Sequence, residues 1–371
     1  MTTLSSKHCL TTASAATFLF TFIAVLISAV LAGDLHVINF RSRSLFPEGL
    51  AWDPTTQRFL VGSLRQRTIS AVSEGGKVET LVSDDSLPEN VTVGGITVDS
   101  LNHRVVAVFH SLEPLPPFDA LAAYDLRSGS RVYLSLLPRA AGDDRRLIAN
   151  DVTADGGGEA YVTNAGGNYI WKVDRNGEAS IFSRSARFTE HTVVRDAVYS
   201  VCGLNGIVHV SKGYLLVVQS NTGKMFKVDA KNGTASQVVL SEDMMGADGV
   251  ALRSDGVVLV VSYNKLWFVK SNDEWARGLV FDKIDLDSVG LPTSVVVGQG
   301  SRTYVLHGHL LEGLLGKSLR ESFKIAEVRS PKENQGKNVW IFLLLGIGLL
   351  YFFFWRFQMN RLVKNMDKKI N

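Results

Sequence analysis

The stretch Pro47-Glu48-Gly49-Leu50-Ala51-Trp52-Asp53 recurs along the chain in diluted form, and its recurrence decides the fold. Its echoes are Gly94-Gly95-Ile96-Thr97-Val98-Asp99, Asn150-Asp151-Val152-Thr153-Ala154-Asp155 and Asn205-Gly206-Ile207-Val208-His209-Val210. Two more follow, Asp248-Gly249-Val250-Ala251-Leu252-Arg253 and Thr293-Ser294-Val295-Val296-Val297-Gly298. The lead residues Glu48, Gly94, Asn150, Asn205, Asp248 and Thr293 are spaced 46, 56, 55, 43 and 45 apart. That spacing suits one four-stranded propeller blade per repeat. After each opening strand comes a β-branched run, as at 58–61, 104–108 and 214–218. A third strand reads Tyr169-Ile170-Trp171-Lys172-Val173-Asp174, echoed by Lys224-Met225-Phe226-Lys227-Val228-Asp229. No long 3.6-residue period appears between 40 and 310. The expectation is an all-β chain, a six-bladed β-propeller with an N-terminal signal segment and one C-terminal transmembrane helix. A β-sandwich is the alternative. The constant offset of 55 that carries Asn150 to Asn205 and Trp171 to Phe226 argues against it.

The two ends read differently from the middle. Residues 1–32 hold Lys7 and an apolar run ending at Leu31-Ala32-Gly33, which reads as a secretory signal peptide or a retained signal anchor. Residues 33–328 make the propeller, 329–338 a linker, 339–355 a transmembrane helix and 356–371 a basic tail. Arg356, Arg361, Lys364, Lys368 and Lys369 outnumber Lys332 and Lys337 on the other flank. The positive-inside bias therefore puts the tail in the cytosol and the propeller in the lumen. Lys368 and Lys369 stand fourth and third from the C-terminus, like a dilysine retrieval signal read by a coat-type receptor. A basic flank to the helix is the plainer reading. Together these features predict a glycoprotein of the endoplasmic reticulum membrane, single-pass type I, with sequons at Asn90 and Asn232. A net charge of +3 gives no reason to expect nucleic acid. The only cysteines are Cys9 and Cys202, so an intradomain disulfide and a thiolate metal cluster are both excluded. Cys202 reads as a buried small hydrophobe.

If the repeats surround an axis, their lead residues form a ring. A ring holding Glu48, Asn150, Asn205 and Asp248 offers a hard cation only oxygen, as calcium requires. Four side chains leave positions for water and a substrate oxygen. The competing reading makes these residues Asx turns between blades. Magnesium, which keeps several waters, suits the set less well.

With Pro47-Glu48-Gly49 and Trp52-Asp53, then Asn150-Asp151, Asn205-Gly206 and Asp248-Gly249, the chain resembles the regucalcin/gluconolactonase, paraoxonase and strictosidine-synthase-like propellers over about residues 40–328. The resemblance implies a catalytic calcium bound by Glu48, Asn150, Asn205 and Asp248. It also implies hydrolysis of lactones, aryl esters or organophosphate esters. Two features depart from the paraoxonases: Gly49 follows Glu48 where they carry Asp, and Cys202 has no partner. Their second, structural calcium is therefore not expected here.

His110 and Asp248 are the candidates for proton transfer, with His307 and His309 as further mouth histidines. Strand alternation would turn Asp151 away from the axis, and His103 and His209 read as structural. Three functions compete. The first is a calcium-dependent hydrolase of a small-molecule ester or lactone. The second is a non-catalytic lumenal propeller binding a protein or a small hydrophobic ligand. The third is a condensing enzyme of the strictosidine-synthase type. The segment Glu113-Pro114-Leu115-Pro116-Pro117-Phe118 suggests an apolar mouth.

Overall fold

The computed structural model describes residues 35–112, 114–193, 197, 199–316 and 318–370. The expected signal segment, Cys9 and Glu113 lie outside the described residues. The chain enters on β1 (Val37–Arg41). The first sheet then runs β2 (Pro47–Asp53), β3 (Arg58–Ser63), β4 (Thr68–Val72) and β5 (Val78–Ser83). The second runs β6 (Val91–Asp99), β7 (Arg104–Ser111), β8 (Asp119–Asp125) and β9 (Arg131–Leu136), and the third β10 (Ala149–Ala154), β11 (Ala160–Asn164), β12 (Tyr169–Val173) and β13 (Ala179–Ser183). Next come β14 (Leu204–Val210), β15 (Tyr214–Gln219), β16 (Met225–Asp229) and β17 (Ala235–Leu240), then β18 (Ala247–Leu252), β19 (Val258–Ser262), β20 (Lys265–Lys270) and β21 (Arg277–Asp285). A two-residue parallel bridge between β17 and β21 joins these last two sheets at their outer edges. The final strands are β22 (Pro292–Val297), β23 (Thr303–His307) and β24 (Ser322–Val328), and β1 completes their sheet by pairing antiparallel with β24.

Each innermost strand packs on the next, β2 on β6, β6 on β10, β10 on β14, β14 on β18 and β18 on β22, and β22 returns to β2. The sheets thus close a ring around a channel, the arrangement of a β-propeller. Pairing β1 into the last sheet ties the beginning of the ring to its end. Second strands such as β3, β7 and β15 are buried almost throughout, which explains their unbroken β-branched runs. Apolar side chains weld neighbouring sheets together. Val106 and Val108 of β7, for example, pack in one cluster with Val162 and Trp171 of the third sheet. Trp171 is fully buried and its indole N–H donates to the Pro138 carbonyl at 2.7 Å. Truncating it to alanine is worth about 3–5 kcal/mol.

One irregularity repeats around the ring. In β2 the pairing steps from Pro47 to Leu50, passing over Glu48 and Gly49. The same shift skips Gly94 and Gly95 in β6, Asn150 and Asp151 in β10, Asn205 and Gly206 in β14, and Asp248 and Gly249 in β18. In β22 it skips Thr293. All six lead residues therefore sit in β-bulges, which re-aim side chains and often lie beside functional sites.

Two α-helices complete the described residues. α1 (Leu310–Leu315) lies in the loop between β23 and β24, and α2 spans Pro331–Ile370. α2 begins inside the stretch read as a linker and runs on through the basic tail. Within it, Leu343–Met366 is long and apolar enough to cross a membrane. The root of α2 is held by Arg253–Glu333, by Lys332 to Asp282 at 3.4 Å and by Lys332 to the Phe281 carbonyl at 2.8 Å. Arg253 follows the C-terminal end of β18. The helix therefore leaves from the face where the inner strands end, opposite the face where the bulges lie.

Candidate functional site

Glu48, Asn150, Asn205 and Asp248 come together at the N-terminal ends of the inner strands. They line one axial cavity of about 20 Å³, with Asp151 and Thr293. That is room for a single water-sized occupant. The glycines that follow the lead residues explain how the ring closes so tightly. A Cβ on Gly49 would stand 2.3 Å from the Gly94 carbonyl oxygen, and one on Gly206 would stand 2.2 Å from that of Asp248. Each glycine lets the next bulge approach. Thr293 joins the last sheet to the first by donating its hydroxyl to the Glu48 carbonyl at 2.8 Å.

Asp151 is the main correction to the sequence reading. Simple alternation turns it from the axis, but the bulge at Asn150–Asp151 breaks the alternation and brings it into the cavity wall. Its carboxylate accepts from Val152 N at 2.8 Å and from Ile207 N at 3.2 Å, clamping β10 to β14. Gly95 makes space for it, since a Cβ there would lie 2.2 Å from Asp151 Oδ1.

Three carboxyl groups thus share the axis, each half-buried beside the spaces that meet there. Burial pushes Glu48 up to about 8, with the Asp151 charge adding to it. Burial likewise raises Asp151 to about 7, against the pull of its two backbone N–H donors. Asp248 is held well above the ordinary carboxylate range by burial, then by Glu48 and Asp151, eased by the Asn205 amide. An environment of this kind favours protons or a cation.

The donor set fits a calcium ion. Asn205 Nδ2 donates to Ser220 Oγ at 3.0 Å, and Ser220 Oγ donates to the Ala247 carbonyl at 2.6 Å. This chain fixes the amide and leaves Asn205 Oδ1 buried without a hydrogen-bond partner. Among the described residues no group of three His, Cys, Asp or Glu side chains is arranged to hold a metal ion by itself, so the three carboxyl groups at the axis do not suffice without the amide oxygens. Half of this set is amide oxygen, which suits a hard cation and not a thiolate or imidazole metal.

Above the axis opens a pocket of about 220 Å³ that shares Asn205 and Asp248 with the cavity. Leu291, Pro292, Tyr263 and the α1 leucines wall it. Below lies a channel of about 290 Å³ lined by Trp52, Val98, Val250 and Val295, and Asp151 borders it too.

The histidines are placed as follows. His110 is buried on β7, with Nδ1 2.7 Å from Asp119 Oδ1, and it lines none of these three spaces. The same Asp119 oxygen accepts from Ala149 N, the residue before Asn150, at 2.8 Å. His307 is buried on β23, Nδ1 without a partner, and burial drives its pKa down to about 4. His309, at the N-cap of α1, lies 3.0 Å from Glu312 Oε1. His103 is exposed in a left-handed turn, and His209 donates its backbone N–H to Thr153 Oγ1. Cys202 is only half-buried and lines the upper pocket, where its backbone N–H bonds the Tyr199 carbonyl. The residues 114–118 line neither that pocket nor the axial cavity.

No protein-family model matches the chain, and no curated protein matches it by sequence. Solved structures do match. The major allergen Mala s 1 of Malassezia sympodialis superposes with a TM-score of 0.66 at 17% identity, over 80% of this chain and 96% of the allergen. A luciferin-regenerating enzyme gives 0.54 at 14% identity, over 80% and 96%. A gluconolactonase of Xanthomonas campestris gives 0.53 at 16% identity, over 81% and 93%. The shared feature is the fold.

Asp151, Asp119 and Ser220 are the residues that sequence reasoning missed. Asp151 stood next to a lead residue, so its signal was present but was overruled by strand periodicity. Ser220 and Asp119 lie on or after second and third strands, 15 and 30 residues from the groups they hold, and no local pattern marks them.

Proposed function

We propose that this protein is a membrane-anchored, six-bladed propeller hydrolase of lactones or aryl esters, phosphotriesters included, that uses one calcium held by Glu48, Asn150, Asn205 and Asp248. The observation carrying this reading is Asn205 Oδ1, buried and unpartnered in a cavity shared with three carboxyl groups. Bound there, calcium would polarise a carbonyl and offset the charge developing on its oxygen. Glu48 and Asp248 supply the negative charge of the site, and Asn150 and Asn205 the neutral oxygens. Asp248 borders both the cavity and the upper pocket, so it is the carboxylate best placed to take a proton from an attacking water. His110, the other candidate base from the sequence, is paired with Asp119 and lines none of the three spaces, so it would act on the substrate only if the site rearranged. Sharing a fold with a gluconolactonase puts lactone hydrolysis first among the substrates to test. The experiment is a panel of lactones and aryl esters on the full chain in detergent, with calcium and with chelator. Turnover abolished by chelator is expected.

A second reading is a non-catalytic lumenal propeller that binds a small hydrophobic ligand or a protein. It is favoured by the position of His110, which lines neither the cavity nor the pocket. No turnover across the panel by calcium-loaded protein would make this the preferred account.

For location we propose the endoplasmic reticulum membrane, propeller in the lumen. The apolar stretch Leu343–Met366 in α2 supports the span. Asn90 and Asn232 are exposed, as acceptors of glycans must be. Lys368 and Lys369 follow as the retrieval signal in the cytosol. Replacing both with serine should release the protein toward the cell surface, and unchanged localisation would sink the signal.

A further inference from the structure

The last turns of α2 change character. Met359, Leu362, Val363 and Met366 recur at the i, i+3, i+4, i+7 spacing of a single helix face. All four are exposed, from 41% at Met359 to 61% at Met366. At 3.6 residues per turn, Arg361 and Lys364 fall on the far side of the helix and Arg356 on its flank. Residues 356–366 hold these three cations and no acid. The segment is thus amphipathic and basic, the pattern of a helix that rests on a membrane surface.

The span just before it explains how it could rest there. Leu343–Met366 is 24 residues long, about 36 Å of helix, against a hydrocarbon core of about 30 Å. A helix longer than the core tilts. The aromatic run Tyr351 to Trp355, with Phe357, marks the water boundary of the bilayer, and the Arg361 guanidinium sits 5.7 Å over the Phe357 ring. A tilt toward the stripe lowers its four side chains onto that boundary. Arg361 and Lys364 then lie on the upper side, with stems long enough to reach lipid phosphates. No kink is required, and α2 has no proline beyond Pro331.

Charge decides between the occupants of the stripe. A second copy packed in parallel would set Arg356, Arg361 and Lys364 beside their own like charges. An anionic leaflet attracts all three, and the span already holds the stripe next to one.

We infer that residues 356–366 are a lipid-docking segment: Met359, Leu362, Val363 and Met366 sink into the cytosolic leaflet, and Arg356, Arg361 and Lys364 bind its anionic headgroups. The inference rests on the proposed span and its orientation, and goes beyond them by making the tail respond to leaflet charge. Lys368 and Lys369 follow within three residues, so docking brings the proposed retrieval signal to the lipid surface.

The test is amide hydrogen exchange on the full chain in nanodiscs that hold one copy each, made of phosphatidylcholine alone or mixed with phosphatidylserine. Slow exchange over 343–355 in both lipids reports the span, and exchange over 358–366 reports docking. Each cation near an anionic surface contributes about fivefold. Exchange over 358–366 should therefore slow about a hundredfold in the anionic discs, and about 1 M salt should erase most of the difference. Leu362→Gln with Val363→Gln should lose the slowing. Arg361→Gln with Lys364→Gln should lose most of the dependence on lipid charge, and Asn365→Gln, off the stripe, should keep it. Exchange over 358–366 that is equally fast in both lipids, or slowing that survives Leu362→Gln with Val363→Gln, overturns the inference while a protected 343–355 leaves the span standing. Slowing that appears only in discs holding two copies assigns the stripe to self-association and overturns it as well. Fast exchange over 343–355 overturns the span, and the inference with it.

Discussion

Ser220 Oγ accepts a hydrogen bond from the Asn205 amide N–H at 3.0 Å and donates its own to the Ala247 carbonyl at 2.6 Å. This chain of bonds holds the amide by its NH2 group and leaves the carbonyl oxygen buried without a partner, the oxygen that the proposed calcium would take. Partners that orient a ligand are commonly worth 10–100-fold in metal affinity. Ser220→Ala should therefore weaken calcium binding by about tenfold, read as a rightward shift of the calcium concentration that stabilises the fold. An unshifted titration would remove Ser220 from the account.

Gly95 holds open the space that Asp151 fills. Gly95→Ala would drive a methyl into Asp151 Oδ1 and dislodge a carboxylate that bonds two backbone N–H groups. Overpacking of this kind costs about 1–3 kcal/mol. The expected variant folds, melts lower and responds less to calcium. Full retention of the calcium response would show that Asp151 matters only to the fold.

The pH dependence has a definite sign. Glu48 and Asp151 are raised from ordinary values of 4.5 and 3.8 to about 8 and about 7. Between those limits the metal-free fold binds more protons than the unfolded chain, so its stability falls as pH rises. In chelator the melting temperature should drop between pH 5 and pH 8, and calcium should reduce the drop because it replaces the protons. Glu48→Gln should flatten the chelator curve. A chelated wild type indifferent to pH across that window contradicts the buried-carboxylate picture.

Asp119 ties His110 to the backbone just before Asn150. If His110 is the base, Asp119→Asn should cut kcat by about 10²-fold, at the lower end of the range for general acid–base catalysis, and leave KM nearly unchanged. A loss in stability with an unaltered kcat would make the pair structural and leave Asp248 as the base.

The sequence carried the fold well because a propeller repeats. Six lead residues in register, with Gly after Glu48, Asn205 and Asp248, were legible as a ring, and the bulges explain why those glycines are needed. That Glu48, Asn150, Asn205 and Asp248 meet at the axis was legible for the same reason. What sequence could not supply was direction. Strand periodicity points Asp151 outward, and only the extra residue in β10 turns it inward. Nor could it supply contacts across the ring. Arg65 fixes α1 from nearly 250 positions away, so the mouth was assigned to residues 113–118 although α1 and Leu291 wall it.

The most direct test of the central claim is the melting temperature of the full chain with calcium, with magnesium and with chelator, beside Asp248→Ala. A ligand at a hundred times its Kd stabilises the fold by about 2.7 kcal/mol, which for a domain of this size is about 5 °C. The account predicts that rise with calcium, a smaller one with magnesium and none in Asp248→Ala. A wild-type chain whose melting is the same in calcium and in chelator would contradict it.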